Sequence, residues 1–154
     1  MTGAADGGAQ ALAERVVGGM LAVDAFSRWL GVELLETAPR RSVARMRVRD
    51  DMVNGFGTCH GGATFALADS AFAFACNTGG TVCVALDVAV SYPKPARVGD
   101  VLTAVAEAEL EPRRVGFYRV TVANQRGELV VLFRGTAYDT RRPHAAVEAA
   151  WAVE

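Results

Sequence analysis

Apolar residues in the first part of the chain recur at steps of three and four. They are Leu12, Val16, Met20, Val23, Phe26 and Leu30. This spacing places them along one face of an amphipathic helix, with polar residues on the opposite face. The pattern predicts a single helix from Ala9 to Leu30, which Gly31 ends.

Between Val32 and Arg49 the pattern changes to short runs with partial alternation, which predicts two strands around Pro39-Arg40. After a segment rich in Gly, Asn and Asp, a second apolar stretch runs from Gly61 to Cys76. Ala, Leu and Phe dominate this stretch and β-branched residues are few, so it predicts a helix. Covering residues 60–77, that helix is roughly 27 Å long, enough to cross a broad sheet.

The second half of the chain favours strands. The predicted strands cover residues 81–92, 101–110, 116–124 and 129–139, and turn residues separate them. This order of elements predicts an α+β domain in which an antiparallel sheet packs on one long helix. We divide the chain into a flexible N-terminus (1–10), one domain (11–140) and an Ala-rich tail (141–154), which is a short extra helix or disordered.

Composition and charge narrow the class of protein. With 154 residues and 51% hydrophobic composition, the chain predicts one compact domain. A formal net charge of -1 gives no field of one sign that favours nucleic acid or an anionic membrane. The N-terminal residues lack the basic and apolar regions of a secretory signal, and no apolar run of about 18 residues occurs. We therefore expect a cytoplasmic protein with no membrane or nucleic-acid partner.

The cysteines indicate a reducing compartment, because three is too few for a disulfide framework and odd in number. None of them has metal-ligand spacing with His60 or His144, so we expect no metal and no cofactor. One interpretation of Cys59 beside His60 is that they are a nucleophile and its base. Adjacent side chains seldom point together, however, and a free Cys is usually a small buried hydrophobic residue.

Asp69 is the discordant residue of the long apolar helix. Phe65 precedes it by four residues and Phe72 follows it by three, so the three share a helix face. Burying an unpaired carboxylate is costly. One explanation is that this face reaches solvent or that Asp69 forms a salt bridge. The other is that Asp69 lies in a partly apolar pocket, where desolvation makes the carboxylate a better base or nucleophile.

The start of the same helix favours the second interpretation. Gly61-Gly62 would lie where the first backbone amides lack partners within the helix, and glycine lets another group approach closely. Amides so placed can hold a developing oxyanion, although close helix packing also explains two glycines. Gly61 and Asp69 are about two turns apart, so they would more easily share a site across two helices of a dimer.

Two stretches carry a resemblance that covers the chain from about Ala11 to Tyr138. They are Asn54-Gly55-Phe56-Gly57-Thr58-Cys59-His60-Gly61-Gly62 and Leu67-Ala68-Asp69-Ser70-Ala71-Phe72-Ala73-Phe74-Ala75-Cys76-Asn77. Together they resemble the signature of the phenylacetic acid degradation thioesterases, a branch of the hotdog acyl-CoA hydrolases. The resemblance implies a hotdog fold, in which an antiparallel sheet of five to six strands wraps around a long central helix.

The resemblance also implies roles for individual residues. Asp69 matches the carboxylate that attacks the thioester carbonyl or activates water, and Gly61 the backbone donor that polarises the thioester oxygen. Asn54 matches an asparagine that positions water or substrate, and His60 a neighbour that supports the loop. In this family the site lies between two protomers, and two dimers usually form a tetramer. Some relatives hold the water with a Ser or Thr at the position of Ala85, for which Ser70 is a weak substitute.

The expected substrate is phenylacetyl-CoA or a ring-hydroxylated relative, and a medium-chain fatty acyl-CoA is the alternative. Lys94 and Arg97 are candidates for contacts with the CoA phosphates. Phe72 and other aromatic residues are candidates for an apolar acyl slot, or else belong to the core. The rival classes are a non-catalytic acyl-CoA-binding domain, a dehydratase of the same fold and a structural interaction domain. Each of them leaves part of the motif unexplained.

Overall fold

The protein's structure, a computed structural model, describes residues 3–111 and 113–145. Within these residues there are three α-helices, one short 3-10 turn and six β-strands. The helices are α1 (Gly3–Val23), α2 (Ala25–Leu30) and α3 (Gly61–Cys76), and the 3-10 turn is Asp50–Met52. The strands are β1 (Glu33–Ala38), β2 (Arg41–Arg47), β3 (Thr81–Ser91), β4 (Val101–Leu110), β5 (Val115–Ala123) and β6 (Leu129–Pro143).

The predicted single helix from Ala9 to Leu30 is wrong, because the structure has two helices there. Asp24 has an extended backbone, and its carboxylate accepts the backbone N–H of Ser27 at 2.9 Å. Asp24 therefore caps a new helix, and α1 and α2 are two separate helices. Gly31 ends α2 with φ 83°, a left-handed conformation that suits glycine, as predicted.

The strand predictions are confirmed to within a few residues. Two strands flank Pro39-Arg40, and the four later strands follow in the expected order. Helix α1 begins at Gly3 and β6 continues to Pro143, and the division of the chain into residues 1–10, 11–140 and 141–154 stays a prediction. The remainder of the predicted tail, residues 146–154, lies outside the described residues.

The six strands form one antiparallel sheet in the order β1-β2-β4-β5-β6-β3. Helix α3 crosses one face of this sheet and packs on β2, β4, β5 and β6. This is the α+β hotdog arrangement expected above. Strand β3 lies at an edge and pairs with β6 alone among the described strands. No helix in the described part of the chain is long and apolar enough to cross a bilayer.

The centre of the core is a cluster of aromatic rings between α3 and the sheet. The ring centroid of Phe72 lies 5.5 Å from those of both Tyr118 and Phe133. Alternation along β5 turns Gly116, Tyr118, Val120 and Val122 toward α3. Each large apolar side chain so buried contributes about 1.5–3 kcal/mol, so this packing fixes the position of α3 on the sheet.

We predict that Gly135→Ala destabilises the protein by about 1–3 kcal/mol through overpacking. A Cβ atom at Gly135 would lie 2.8 Å from ring atoms of Phe72 and 2.9 Å from Phe133, and both rings are enclosed by the core. Urea unfolding followed by circular dichroism measures the change.

Gly18→Ala is the matched control, because Gly18 is an exposed residue of α1 with no atom within 4 Å of the added Cβ. Because alanine has a higher helix propensity than glycine, Gly18→Ala should raise the free energy of unfolding by about 0.5–1 kcal/mol. Equal effects of the two substitutions would contradict the packing described for Gly135.

Candidate functional site

A cleft of about 320 Å³ opens at the N-terminal end of α3. It is lined by Asn54, Thr58, Cys59, Gly61, Thr64, Tyr92, Lys94, Pro95, Ala96 and Val130. The fold thus brings three of the predicted site residues, Asn54, Gly61 and Lys94, to one place. The other predicted residues lie elsewhere, and their positions are described below.

Asn54 organises the loop that forms one wall of the cleft. Its Oδ1 accepts the backbone N–H groups of Phe56 at 2.9 Å and Thr58 at 3.2 Å, and its Nδ2 donates to Thr58 Oγ1 at 3.1 Å. These bonds form the local side-chain turn that Asn favours. The amide oxygen is thus used by the loop, and Nδ2 has a second hydrogen available to a ligand.

His60 caps α3 and leaves one amide free. The side chain is exposed, and its Nδ1 accepts the backbone N–H of Gly62 at 2.8 Å. The His60 carbonyl accepts the N–H groups of Ala63 and Thr64. Of the first four amides of α3, the N–H of Gly61 alone has no partner among the described residues. This donor lies at the cleft and at the positive end of the helix dipole.

Backbone hydrogen bonds on both sides hold this helix start in place. The N–H of His60 donates to the carbonyl of Met52 at 2.7 Å, and the N–H of Cys59 donates to the carbonyl of Ala96 at 2.8 Å. The segment before α3 is therefore fixed between the 3-10 turn and the β3-β4 connection, and the direction of the Gly61 N–H is set by the fold.

Tyr92 is a cleft residue that sequence reasoning missed. Its ring packs over Gly61, because a Cβ built there would meet ring carbons at 3.4 Å, and 48% of the residue is exposed. Nothing in the local pattern marks Tyr92, which the sequence predicts as the last residue of a strand and which directly follows β3 in the structure. Tyr92 and Gly61 are far apart in the sequence, and only the tertiary fold brings them together.

Asp69 lies two turns further along α3, half-buried, and outside the cleft. Burial raises the pKa of its carboxyl group, and no neighbouring charge or hydrogen bond contributes to that shift. Eight residues of helix separate it from Gly61, about 12 Å, so one chain does not bring the two groups together. Gly62, Ala66 and Ala73 lie along the same partly exposed stripe of α3 as Asp69.

The two predicted cations are both exposed. Lys94 lies at the cleft, and its Nζ is 3.3 Å from Glu128 Oε1. Arg97 is in the following turn, where its backbone N–H donates to Asp100 Oδ2 at 2.9 Å. The guanidinium of Arg97 does not line the cleft.

Phe72 and Ser70 point away from any ligand that the cleft could hold. Phe72 is 1% exposed and belongs to the aromatic core, because α3 turns this side toward the sheet. Ser70 is buried, and its Oγ is 2.9 Å from Ser27 Oγ, which donates to Asp24 Oδ2 at 2.6 Å. Phe72 therefore packs α3 on the sheet and Ser70 links α3 to α2, which does not fit their prediction as substrate contacts.

The interpretation of Cys59 and His60 as a nucleophile and its base does not fit the geometry. Cys59 is buried, and burial raises the pKa of its thiol, which opposes formation of a thiolate. The Nδ1 of His60 is bonded to Gly62 rather than to sulfur. In the part of the chain that the structure describes, no group of three or more metal-ligand side chains comes together.

The sequence of the chain is similar to those of known thioesterases. A family model described as Thioesterase superfamily matches residues 56–131. The chain is 37% identical over 115 residues to Acyl-coenzyme A thioesterase PaaI of Escherichia coli, an alignment that covers 75% of this chain and 82% of that protein. It is 31% identical over 117 residues to human Acyl-coenzyme A thioesterase 13, covering 73% and 84% of the two chains.

The fold of the chain is also similar to solved structures of thioesterases. The Escherichia coli PaaI protein from the phenylacetic acid degradation operon superimposes with a TM-score of 0.85 at 34% identity, covering 87% of this chain and 97% of that one. A hypothetical thioesterase from Streptococcus pneumoniae with coenzyme A has a TM-score of 0.70 at 26% identity, covering 73% and 90%.

The raised pKa of Asp69 predicts a stability effect. The folded chain holds the proton on this carboxyl more readily than the unfolded chain, so the group's contribution to the free energy of unfolding falls as pH rises through the shifted range. Asp69→Asn should therefore unfold at higher urea concentration than the wild type at neutral pH. The difference should shrink as pH falls toward 3.8, the ordinary pKa of Asp.

Asp50→Asn, at an exposed residue of the 3-10 turn, is the control and should change stability little at either pH. If Asp69→Asn were less stable than the wild type at neutral pH, the carboxylate would have a stabilising partner and the desolvation argument would be wrong.

Proposed function

Because the chain belongs to the thioesterase superfamily and is an acyl-CoA thioester hydrolase, we propose that it hydrolyses phenylacetyl-CoA or a ring-hydroxylated relative to the free acid and CoA. The unpaired N–H of Gly61 at the cleft carries this proposal. Support for the acyl group comes from the Escherichia coli relative, which is a protein from the phenylacetic acid degradation operon.

The Gly61 N–H is the donor for the thioester oxygen. In a tetrahedral intermediate this oxygen becomes negative, and a fixed amide at a helix N-terminus stabilises that charge without reorganising. The cap by His60 supports this role, because it uses the Gly62 amide and leaves that of Gly61 for the ligand. His60 is thus a positioning residue for the helix start.

Asp69 drives the attack on the thioester carbonyl, either as a general base or as a nucleophile. A carboxylate that is desolvated and lacks a charged partner is a stronger base and nucleophile than one in water. As a general base it takes a proton from water while the water oxygen adds to the carbonyl to give the tetrahedral intermediate. The C–S bond then breaks, and the proton passes to the leaving sulfur so that CoA departs as the thiol. As a nucleophile it forms a mixed anhydride with release of CoA, and water then opens the anhydride.

Two protomers are needed to bring these groups together. The 12 Å or so between Gly61 and Asp69 on one helix is too far for both to act on one carbonyl. The free edge of β3 exposes apolar residues such as Val84 and Leu86, and an edge strand of this kind is a template for pairing with another chain. We propose a symmetric dimer along β3, with Asp69 from one protomer and Gly61 and Asn54 from the other. Two such dimers form a tetramer.

Ala85 distinguishes this chain from one of its relatives. The Streptococcus pneumoniae thioesterase has been studied with an Asp and a Thr, 16 residues apart, each replaced by Ala. In this chain the residue 16 positions after Asp69 is Ala85, which has no hydroxyl to hold water. Ser70 does not substitute for it, since its hydroxyl faces Ser27. We propose that the attacking water is held without a Ser or Thr at this position.

Lys94 is the proposed contact for the CoA phosphates, because its ammonium group is exposed at the rim of the cleft. Arg97 in the next turn adds a second cation. A medium-chain acyl-CoA is the alternative substrate, and a non-catalytic acyl-CoA-binding domain is the alternative function.

We expect Asp69→Asn to lower the rate of CoA release by about 10²–10⁴-fold, since the carboxylate that drives attack is lost. The measurement is thiol release from phenylacetyl-CoA, a hydroxyphenylacetyl-CoA and a medium-chain acyl-CoA, with Asp50→Asn as the control that keeps wild-type turnover.

The panel also ranks the substrates, and turnover highest on the medium-chain thioester would replace the aryl-acetyl assignment. A wild-type protein that binds all three thioesters without cleaving any would favour the binding-domain alternative.

We expect Gly61→Pro to lower turnover by about 10²–10³-fold, because proline removes the N–H that holds the oxyanion. Proline is well tolerated at the first position of a helix, and His60 already has the extended backbone that a following proline requires (φ -60°, ψ 132°). Gly61→Ala is the matched control, because its Cβ meets Tyr92 at the same place while the N–H remains. Equal activity of the Pro and Ala variants would exclude this amide as the donor.

Mixing the two inactive variants tests where the site lies. If Asp69 and Gly61 come from different protomers, a mixed dimer of Asp69→Asn and Gly61→Pro has one site with both groups intact. Random assortment makes half of the dimers mixed, so co-refolded protein should recover about a quarter of wild-type activity. No recovery from a mixture shown to contain hetero-dimers would place both groups in one protomer.

A further inference from the structure

Two cysteines meet at the C-terminal end of α3, remote from the cleft. Cys76 is the last residue of α3, and Cys83 lies near the start of β3. The side chain of Asn77 connects them: its Nδ2 is 3.4 Å from Cys76 Sγ and 3.1 Å from the Cys83 carbonyl oxygen, and its Oδ1 accepts the Cys83 N–H at 2.9 Å. Asn77 thereby links the last residue of α3 to Cys83 near the start of β3 and holds the two cysteines close to each other.

Both thiols line a cavity of about 350 Å³. Glu111, Tyr118, Arg113 and Arg114 are among its other walls. A small molecule can thus reach a pair of thiols that the proposed hydrolysis does not use. Cys59, the third cysteine, lies in the wall of the other cleft and has no cysteine beside it in the described chain.

The two thiols differ in ionisation because they interact. The thiol of Cys76 lowers the pKa of Cys83, and Cys83 together with burial raises the pKa of Cys76. The directions of the two pKa shifts favour Cys83 over Cys76 as the thiol that ionises first. A reactive thiolate with a second thiol beside it is the arrangement of redox-active cysteine pairs.

We propose that Cys76 and Cys83 form a redox-active dithiol that hydrogen peroxide converts to an intramolecular disulfide. The Cys83 thiolate attacks one oxygen of the peroxide, the O–O bond breaks, and Cys83 sulfenic acid and water are formed once a proton is taken up. Cys76 sulfur then attacks the sulfenic sulfur, its proton and the hydroxyl leave as water, and the S–S bond closes. Two thiols and one peroxide give one disulfide and two waters.

The test is a count of free thiols in the full-length protein after a stoichiometric pulse of hydrogen peroxide. Alkylation under denaturing conditions followed by intact mass should show a fall from three alkylated cysteines per chain to one, and dithiothreitol should restore all three. Peptide mapping should then find the 76–83 linkage, with Cys59 alkylated. Three alkylated cysteines after the pulse, or a linkage that includes Cys59, would overturn the proposal.

Single variants separate the two steps. Cys76→Ser should leave a sulfenic acid on Cys83 that dimedone traps, whereas Cys83→Ser should give no dimedone adduct on Cys76. Cys59→Ser is the matched control and should form the disulfide as the wild type does. Dimedone labelling of Cys76 in Cys83→Ser as fast as that of Cys83 in Cys76→Ser would contradict the assignment of Cys83 as the attacking thiol. Far-ultraviolet circular dichroism confirms that each variant is folded.

Discussion

The rest of the structure depends on the packing of α3 across the inner face of the sheet. The helix consists largely of Ala, Phe and Leu, and its inward face is sealed by the rings of Phe72, Tyr118 and Phe133. Ser42 adds a buried hydrogen bond from β2 to the carbonyl of Ala71 at 2.7 Å. Because α3 is fixed in rotation and in position, its first amide points into the cleft and Asp69 faces outward.

This packing positions both of the groups that the proposed hydrolysis uses, the Gly61 amide and the Asp69 carboxylate, on one helix. A helix N-terminus supplies an unpaired donor wherever no cap uses it, and here His60 caps the second amide and not the first. The outward face, by contrast, holds a carboxylate among Gly and Ala residues, where desolvation raises its pKa. Desolvation of this carboxylate is predicted to lower the stability of the folded chain, a cost that is common for the functional groups of enzymes, which is the role proposed for Asp69.

Local sequence signals predicted most of the secondary structure and one of the candidate site residues, Asp69. The composition of residues 61–76 predicted α3, and strand-favouring runs separated by turn residues predicted the six strands, because these signals are local. Asp69 was identifiable because an acid in an apolar helix is a local anomaly. The division into α1 and α2 was missed because the apolar spacing continues across Asp24, and only its side-chain hydrogen bond to Ser27 shows that a new helix begins. Phe72 and Ser70 were misassigned because spacing along a helix does not tell which face meets the sheet.

The sequence by itself determined the elements, their order, the two ends of α3 and the discordant acid, because these depend on neighbours within a few residues. Tertiary structure alone decided which residues share a space. It placed Tyr92 beside Gly61, turned Ser70 toward Ser27, and brought Cys83 to Cys76 through Asn77. Such contacts join residues whose separation is set by sheet pairing and helix rotation, and these follow from the packing of the whole domain rather than from any local pattern.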